Sequence, residues 1–280
     1  MLPSHLDAGI SKLTALSWMG RLVVKRLLLA TTALALGGHI FGDDALAAPY
    51  NWTGCYVGAN AGAGWNRNRI SEPLNSGGQN FAPVGSSFDV NGNGGFIGGG
   101  QFGCNYQFDT NWMAGLQGDM SFGSISGQAT DPFFGGKSGG PLTLQARTTW
   151  LASVQGRAGY AWNNVLLFGT GGPAWAHTKY DGGNLEDFGN PSLLCFNGVF
   201  TACNPTGSDT RLGWTLGAGF EWAFNNNWTV SFVYNHYDFG SHSVTLTDAV
   251  NSSTPASIDV KTQIDTAKVS LNYRFRAGTP

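Results

Sequence analysis

The sequence contains little charge and, after its first 47 residues, no long apolar run. Charged side chains make up only 11% of the 280 residues. Residues 48–280 carry eleven Lys and Arg against fourteen Asp and Glu, and this near-neutral balance argues against a nucleic-acid partner. Without a further apolar run of about 20 residues, this part of the chain cannot cross a membrane as a helix.

Motifs for metal, phosphate and hydrolytic chemistry are also missing. The four cysteines lack the paired Cys-x-x-Cys spacing of a structural zinc site. Gly136-Lys137-Ser138 lacks the upstream glycine of a phosphate-binding loop, because Asp131 occupies that position. His236, His242 and Ser243 have no acidic partner that is visible in the sequence. We therefore expect no cofactor and no enzymatic activity.

An export signal is the first feature that is present. A basic cluster precedes an apolar run at 27–36, and small residues ending at Ala47 fit a cleavage site. The run is too short to span a bilayer as a helix. We predict a signal peptide over 1–47, with Met19 as its true start, and a single domain over 48–280.

The rest of the chain alternates apolar and polar side chains with the period of two that is typical of strands. In the clearest segment, Val269, Leu271, Tyr273 and Phe275 share one face and polar residues occupy the other. The eight predicted strands are Gly54–Trp65, Gly95–Phe108, Trp112–Phe122, Arg147–Ala161, Val165–Thr178, Arg211–Ala223, Trp228–Phe239 and Lys261–Phe275. Each strand is long enough to cross a bilayer, which takes about 9–11 residues.

The connections between the predicted strands alternate in length. Tight turns fall around 109–110, 163–164 and 225–226, whereas the other connections are long and polar. Tryptophans lie near both ends of the strands, as in the aromatic belts of membrane barrels. The pattern predicts an all-β fold, an eight-stranded antiparallel up-and-down transmembrane β-barrel in the outer membrane of a Gram-negative bacterium. Its short turns and both termini should lie in the periplasm.

Five charged residues fall on the polar faces of the strands, whereas the assigned lipid faces carry none. They are Asp119, Arg157, Glu221, Lys268 and Arg274. Side chains fill the interior of an eight-stranded barrel, so buried charges need partners there. We predict one layer with Glu221 near Arg157 or Arg274, and a second layer that joins Asp119 and Lys268. Such a polar plug should not conduct like a general porin.

Four cysteines follow residue 47, and an exported protein can oxidise them. Cys55 and Cys104 lie on the first two predicted strands, where antiparallel pairing sets them opposite each other on one face. Cys195 and Cys203 lie within one long loop. We favour the disulfides Cys55–Cys104 and Cys195–Cys203 over the two crossed pairings, because barrel and loop are spatially separate.

Both ends of the domain resemble a known family. The opening Trp52-Thr53-Gly54-Cys55-Tyr56-Val57-Gly58 is similar to the Trp-Thr-Gly-Phe-Tyr-Val-Gly opening of small alphaproteobacterial surface-antigen barrels, the rhizobial and Brucella-type outer-membrane proteins. Gly99–Gln107 resembles the family's second strand, and Leu271–Phe275 resembles its last. The family usually ends on that Phe, whereas Arg276–Pro280 follows it here.

The resemblance implies a function and a set of partners. The aromatic last strand, with Leu271, Tyr273 and Phe275, would be the signal that the barrel-assembly machinery reads. The barrel would be a non-enzymatic structural protein of the envelope, surrounded by outer-membrane lipid and lipopolysaccharide, with long loops outside the cell. Porin-like passage of small solutes or ions is the alternative. No particular extracellular ligand is implied.

Overall fold

The computed structural model describes residues 50–71, 87–130, 143–182, 205–248 and 256–275, which form eight strands. The strands are β1 (Gly54–Ser71), β2 (Ser87–Phe108), β3 (Trp112–Thr130), β4 (Thr143–Trp162), β5 (Val165–Gly182), β6 (Pro205–Ala223), β7 (Trp228–Asp248) and β8 (Ala256–Phe275). Each strand pairs antiparallel with the next in the chain, and β8 pairs with β1 to close the barrel. The predicted fold class is confirmed. No helix in these ranges is long and apolar enough to cross a membrane.

Three tight connections define what we call the turn end of the barrel, and the opposite end is the loop end. Asp109 and Asn163 adopt φ angles of 64° and 52°, a left-handed conformation that Asp and Asn tolerate better than most residues. In the third turn, the backbone N–H groups of Asn227 and Trp228 donate to the Asn225 side chain. The predicted turns are therefore confirmed, and local side-chain chemistry explains them.

At the loop end, every strand is longer than the sequence predicts. For example, β7 continues to Asp248, whereas the predicted strand ends at Phe239. Strands of 18–22 residues make a barrel about 50 Å tall at the usual tilt, against an apolar band of about 25 Å. Beyond that band both faces of a strand can be polar. The hydrogen-bonded pairing of the strands therefore continues where the apolar–polar alternation, on which the prediction depends, has ended.

The barrel is apolar outside and largely polar inside. Large side chains such as Phe96, Phe102 and Leu116 are about 70% exposed (73%, 68% and 67%). A water-soluble monomer rarely exposes so large an apolar surface, whereas lipid covers it without cost. The inner face buries Asn, Gln, Ser, Thr and charged side chains instead.

Two apolar clusters close the lumen on either side of its polar centre. The turn-end plug consists of Trp52, Met113, Ala161, Leu166, Phe168, Ala223 and Val233, with Tyr50 packed against it. The loop-side cluster consists of Ile97, Ile125, Leu151, Ala174, Ala176, Tyr237, Phe239 and Ile264. The ion pairs Arg157–Glu221 and Asp119–Lys268 are buried between these two clusters.

Candidate functional site

The first charged layer joins Arg157 on β4 to Glu221 on β6. The Arg157 guanidinium lies 2.6 Å from the Glu221 carboxylate, and each side chain is 1% exposed. Arg157 also donates to the Tyr56 hydroxyl at 2.8 Å, and Glu221 accepts hydrogen bonds from Thr229 and Asn272. A guanidinium with these partners is held in place, and this is one of the two pairings that the sequence predicts for Glu221.

The surroundings of Arg157 are otherwise apolar and aromatic. Its guanidinium carbon lies 3.8 Å from the centre of the Phe168 ring, which belongs to the turn-end plug. The ring of Tyr56 occupies space that Gly103 leaves, since a Cβ on Gly103 would lie 2.6 Å from the Tyr56 hydroxyl. Inward glycines on one strand thus make room for the long side chains of the others.

The second charged layer joins Asp119 on β3 to Lys268 on β8. The two side chains form a buried ion pair, and the Ser153 hydroxyl donates to the same carboxylate. Gln155 extends this network by donating to the Ser153 oxygen at 2.6 Å. The layer lies on the loop side of the first, as the sequence predicts, and side chains from β3, β4 and β8 span the lumen.

Amide side chains fill the space between and beside the ion pairs. The Tyr56 hydroxyl donates to Gln117 at 2.7 Å, and Gln101 donates to Asn272 at 2.7 Å. Gln101 in turn accepts from the Ser270 hydroxyl at 3.1 Å. These bonds join the amides to the Arg157–Glu221 layer through Tyr56 and Asn272.

Arg274 takes a different role from the one the sequence suggests. It is buried, but it donates to the backbone carbonyls of Asn51 and Trp52 instead of pairing with Glu221. Its guanidinium carbon also lies 5.1 Å from the Tyr50 ring centre and 5.2 Å from that of Trp52. Arg274 thus fastens the segment before β1 under the turn end of the barrel.

Cys55 and Cys104 are directly opposite each other in the β1–β2 register and form a disulfide on the outer face. Cys195 and Cys203 lie outside the described residues. We expect peptides with Cys55 and Cys104 to stay linked in a digest of unreduced, exported protein, as mass spectrometry would detect. A Cys104→Ser variant should lose only this link, and a link from Cys55 to Cys195 or Cys203 in the native chain would contradict the pairing.

The last strand presents Leu271, Tyr273 and Phe275 on the outer face, next to the seam with β1. The Tyr273 ring packs edge-on against Trp228 and Phe275, with centroids 5.1 and 5.3 Å apart. The three residues are thus displayed to the membrane near the turn end. Their role as an assembly signal stays a prediction.

A charged residue that the sequence reading assigned to no site, Asp265, lies on the outer face of β8. It is buried there by Tyr234 and His236, which each contact its carboxylate at 2.8 Å, and by Arg67 at 3.4 Å. The expectation that the lipid faces carry no charge was therefore wrong at this position. Asp265 has the same odd-numbered parity along β8 as Val269. The alternation of the strand could therefore have placed Asp265 on the outer face.

Asp265 is thus an acidic partner for His236 that the sequence does not show. A hydrolytic triad would further need a nucleophile beside the histidine. Ser243, the candidate from the sequence, donates to Asp259 instead. In the described ranges, no group of three His, Cys, Asp or Glu side chains could hold a metal ion.

Comparisons with known proteins agree with this architecture. The family profile described as "Outer membrane protein beta-barrel domain" matches residues 33–275. The 31 kDa outer-membrane immunogenic protein of Brucella melitensis is 33% identical over 252 residues, covering 88% of this chain and 95% of that one. The 25 kDa outer-membrane immunogenic protein of Brucella abortus is 25% identical, covering 82% of each chain.

Among solved structures, the outer membrane protein OprG from Pseudomonas aeruginosa has a TM-score of 0.51 at 11% identity, covering 81% of this chain and 99% of that one. The outer membrane protease OmpT from Escherichia coli has a TM-score of 0.52 at 10% identity, covering 82% of this chain and 99% of that one. At such low sequence identities, these two similarities show the barrel fold alone.

Proposed function

This chain belongs to the outer membrane protein beta-barrel domain family, and from that premise we propose that it is a non-enzymatic, non-conducting structural barrel of the envelope. The observation that carries the proposal is the filled lumen. Two buried ion pairs lie between two apolar clusters, so an ion that enters at either end meets a dry layer. Open aqueous channels appear in barrels of about 16–18 strands, twice the number here.

In the proposed orientation, the turn end lies in the periplasm and the loop end outside the cell. Short periplasmic turns and long external loops are the rule for outer-membrane barrels. The extension of the strands beyond the apolar band at the loop end supports the same orientation, because it would hold the loops away from the bilayer. The relatives are named immunogenic outer-membrane proteins, which is consistent with external loops.

The absence of enzymatic activity is part of the proposal. His236 and Ser243 contact different carboxylates, those of Asp265 and Asp259. Without a nucleophile beside His236 in the described residues, the His–Asp pair has no hydrolytic role. We propose that this pair instead holds together the outer-face group of Asp265, His236, Tyr234 and Arg67.

Planar-bilayer recording of purified, refolded protein tests the proposal. We expect no stable conductance steps, because the side chains between the two apolar clusters leave no continuous aqueous path. A 16-stranded porin that is recorded in the same membrane gives the positive control. Large, stable steps whose ion selectivity changes in a Lys268→Gln variant would overturn the proposal.

Porin-like passage of small solutes is the second candidate, and buried amides near the loop end favour it. The side-chain N and O atoms of Asn66 and Asn68 are buried without a hydrogen-bond partner. Such groups are ordinarily hydrated. The loop-side apolar cluster nevertheless separates these asparagines from the charged layers. Liposome swelling with a small sugar distinguishes the candidates, since passage would raise the rate above that of protein-free vesicles.

A further inference from the structure

The residues just before β1 lie across the turn end of the barrel without joining its sheet. We call residues 50–53 the strap. Trp52 is fully buried within the turn-end plug (0% exposed), and the Tyr50 ring packs edge-on against it with centroids 4.8 Å apart. The interior of an eight-stranded barrel is only wide enough for side chains to fill. One tryptophan therefore takes up a large part of the turn-end opening.

Side chains of the barrel hold the strap in place. Among the described residues, the strap makes no backbone-to-backbone hydrogen bond. The Gln107 side chain of β2 accepts from the Trp52 N–H at 2.8 Å, and the Gln107 N–H donates to the Thr53 hydroxyl at 3.0 Å. Arg274 of β8 donates to the carbonyls of Asn51 and Trp52. The strap can therefore leave the turn end while the pairing of the strands stays intact.

Two longer hydrogen bonds connect the strap to the other turns. The Trp52 indole N–H donates to the Asn163 carbonyl at 3.4 Å, and the Tyr50 hydroxyl donates to the Asn226 carbonyl at 3.5 Å. Both distances are long for a hydrogen bond, so these two contacts are weak. The bonds to Gln107 and Arg274 are therefore the main polar attachments of the strap.

A glycine joins the strap to β1. Gly54 has a φ angle of 139°, which side chains disfavour and glycine adopts readily. A Cβ at this position would lie 2.8 Å from the Phe275 carbonyl oxygen. Because glycine also samples more backbone conformations than any other residue, rotation at Gly54 can move the strap without moving the rest of β1.

The strap covers the charged layer that is nearer to the turn end. Phe168 belongs to the same plug as Trp52, and its ring centre lies 3.8 Å from the Arg157 guanidinium carbon. Met113 is another buried member of this plug. When Trp52 leaves, water can enter the plug and reach the ring that packs against Arg157.

We propose that the strap is a hinged stopper, which docks on Gln107 and Arg274 to keep water out of the turn-end part of the lumen and undocks about Gly54 while the barrel stays folded. A segment that is held by few contacts opens at a much lower free-energy cost than the whole domain. The Asp119–Lys268 pair and the loop-side apolar cluster remain in place when the strap leaves. The open form is therefore a hydrated recess at the turn end, and the lumen stays closed beyond it.

Chymotrypsin cleavage after Tyr50 or Trp52 measures undocking, in protein purified from outer membranes in mild detergent. The protease binds an extended segment, so it cuts only an undocked strap, and the rate follows the population of the open form. Arg274→Gln removes a charged donor to two carbonyls, so we expect cleavage about tenfold faster or more. Gln107→Ala should accelerate cleavage about fivefold. Mass spectrometry of the released N-terminal peptide gives the rates.

Arg67→Gln is the matched control, because it removes an exposed cation at the loop end. A distant substitution should leave the cleavage rate within about twofold of the native rate. Heat-modified gel mobility should show that the barrel stays folded after cleavage, and Gln107→Ala gives the answer if Arg274→Gln does not fold. Equal rates in the native chain and the folded strap variants, or cleavage only in molecules that have lost the folded mobility, would overturn the proposal.

The two methionines that follow residue 47 report whether water enters. Met113 is buried in the turn-end plug, whereas Met120 is exposed on the outer face. Hydrogen peroxide oxidises methionine to its sulfoxide and is itself reduced to water. After chymotrypsin has removed the strap from the native chain, Met113 should be oxidised about tenfold faster than in the intact chain, while the rate at Met120 stays the same. Equal oxidation of Met113 before and after removal would show that the strap excludes no water and would overturn the proposal. Neither readout involves conductance, so the stopper and the proposed structural role can fail independently.

Discussion

Replacing Glu221 with Ala should lower the free energy of unfolding by about 3–5 kcal/mol, the cost of leaving one member of a buried ion pair unpaired. Arg157 would keep its hydrogen bond to Tyr56 but lose its only carboxylate partner among the described residues. The apolar clusters on both sides would limit compensation by water. Urea unfolding of the protein in lipid vesicles, followed by heat-modified gel mobility, measures the loss.

Two companion variants isolate the electrostatic cause. Glu221→Gln keeps the shape and the bonds to Thr229 and Asn272 but removes the charge, so a loss close to that of Glu221→Ala is expected. Arg157→Met combined with Glu221→Leu removes both charges and should recover much of the stability, because buried ion pairs are often replaceable by apolar side chains. An unfolding midpoint that is unchanged in Glu221→Ala would show that Arg157 is hydrated in the native lumen.

Placing an arginine at Ala218 should destabilise the barrel by about 2–4 kcal/mol, the cost of a cation on the lipid face near the bilayer midplane. Ala218 lies on the outer face of β6, halfway between Trp214 and Trp222. The same unfolding measurement in vesicles gives the difference.

Ser208→Arg is the matched control on the same strand. Ser208 is also exposed, but it lies six residues beyond Trp214 towards the loop end. A cation near or beyond the interface costs about 0–1 kcal/mol. Equal effects of the two substitutions would contradict the assignment of the membrane-embedded band to the segment between the two tryptophans.

The two faces of the barrel meet opposite environments. The inner face stabilises the protein through paired charges, whereas the outer face meets hydrocarbon and, beyond it, head groups. In the lumen, the two buried ion pairs give each charge a partner within the protein.

The sequence by itself determined the eight strands, their turn-end boundaries and the separation of faces. Alternation with a period of two and the turn chemistry of Asp109, Asn163 and Asn225 are local properties, readable from a few consecutive residues. The face of each lumen charge followed from the same alternation. The need for partners in a narrow barrel then restricted which charges could pair.

Only the tertiary structure decided which groups meet. Arg157 and Glu221 come from strands that are not neighbours, so their contact depends on the shear of the closed barrel and on the width of its lumen. The same closure directs Arg274 to the segment before β1 and allows Tyr234, His236 and Arg67 to bury Asp265 on the outside. The loop-end extensions also required the structure, because hydrogen-bonded ladders continue in water where the apolar pattern no longer marks them.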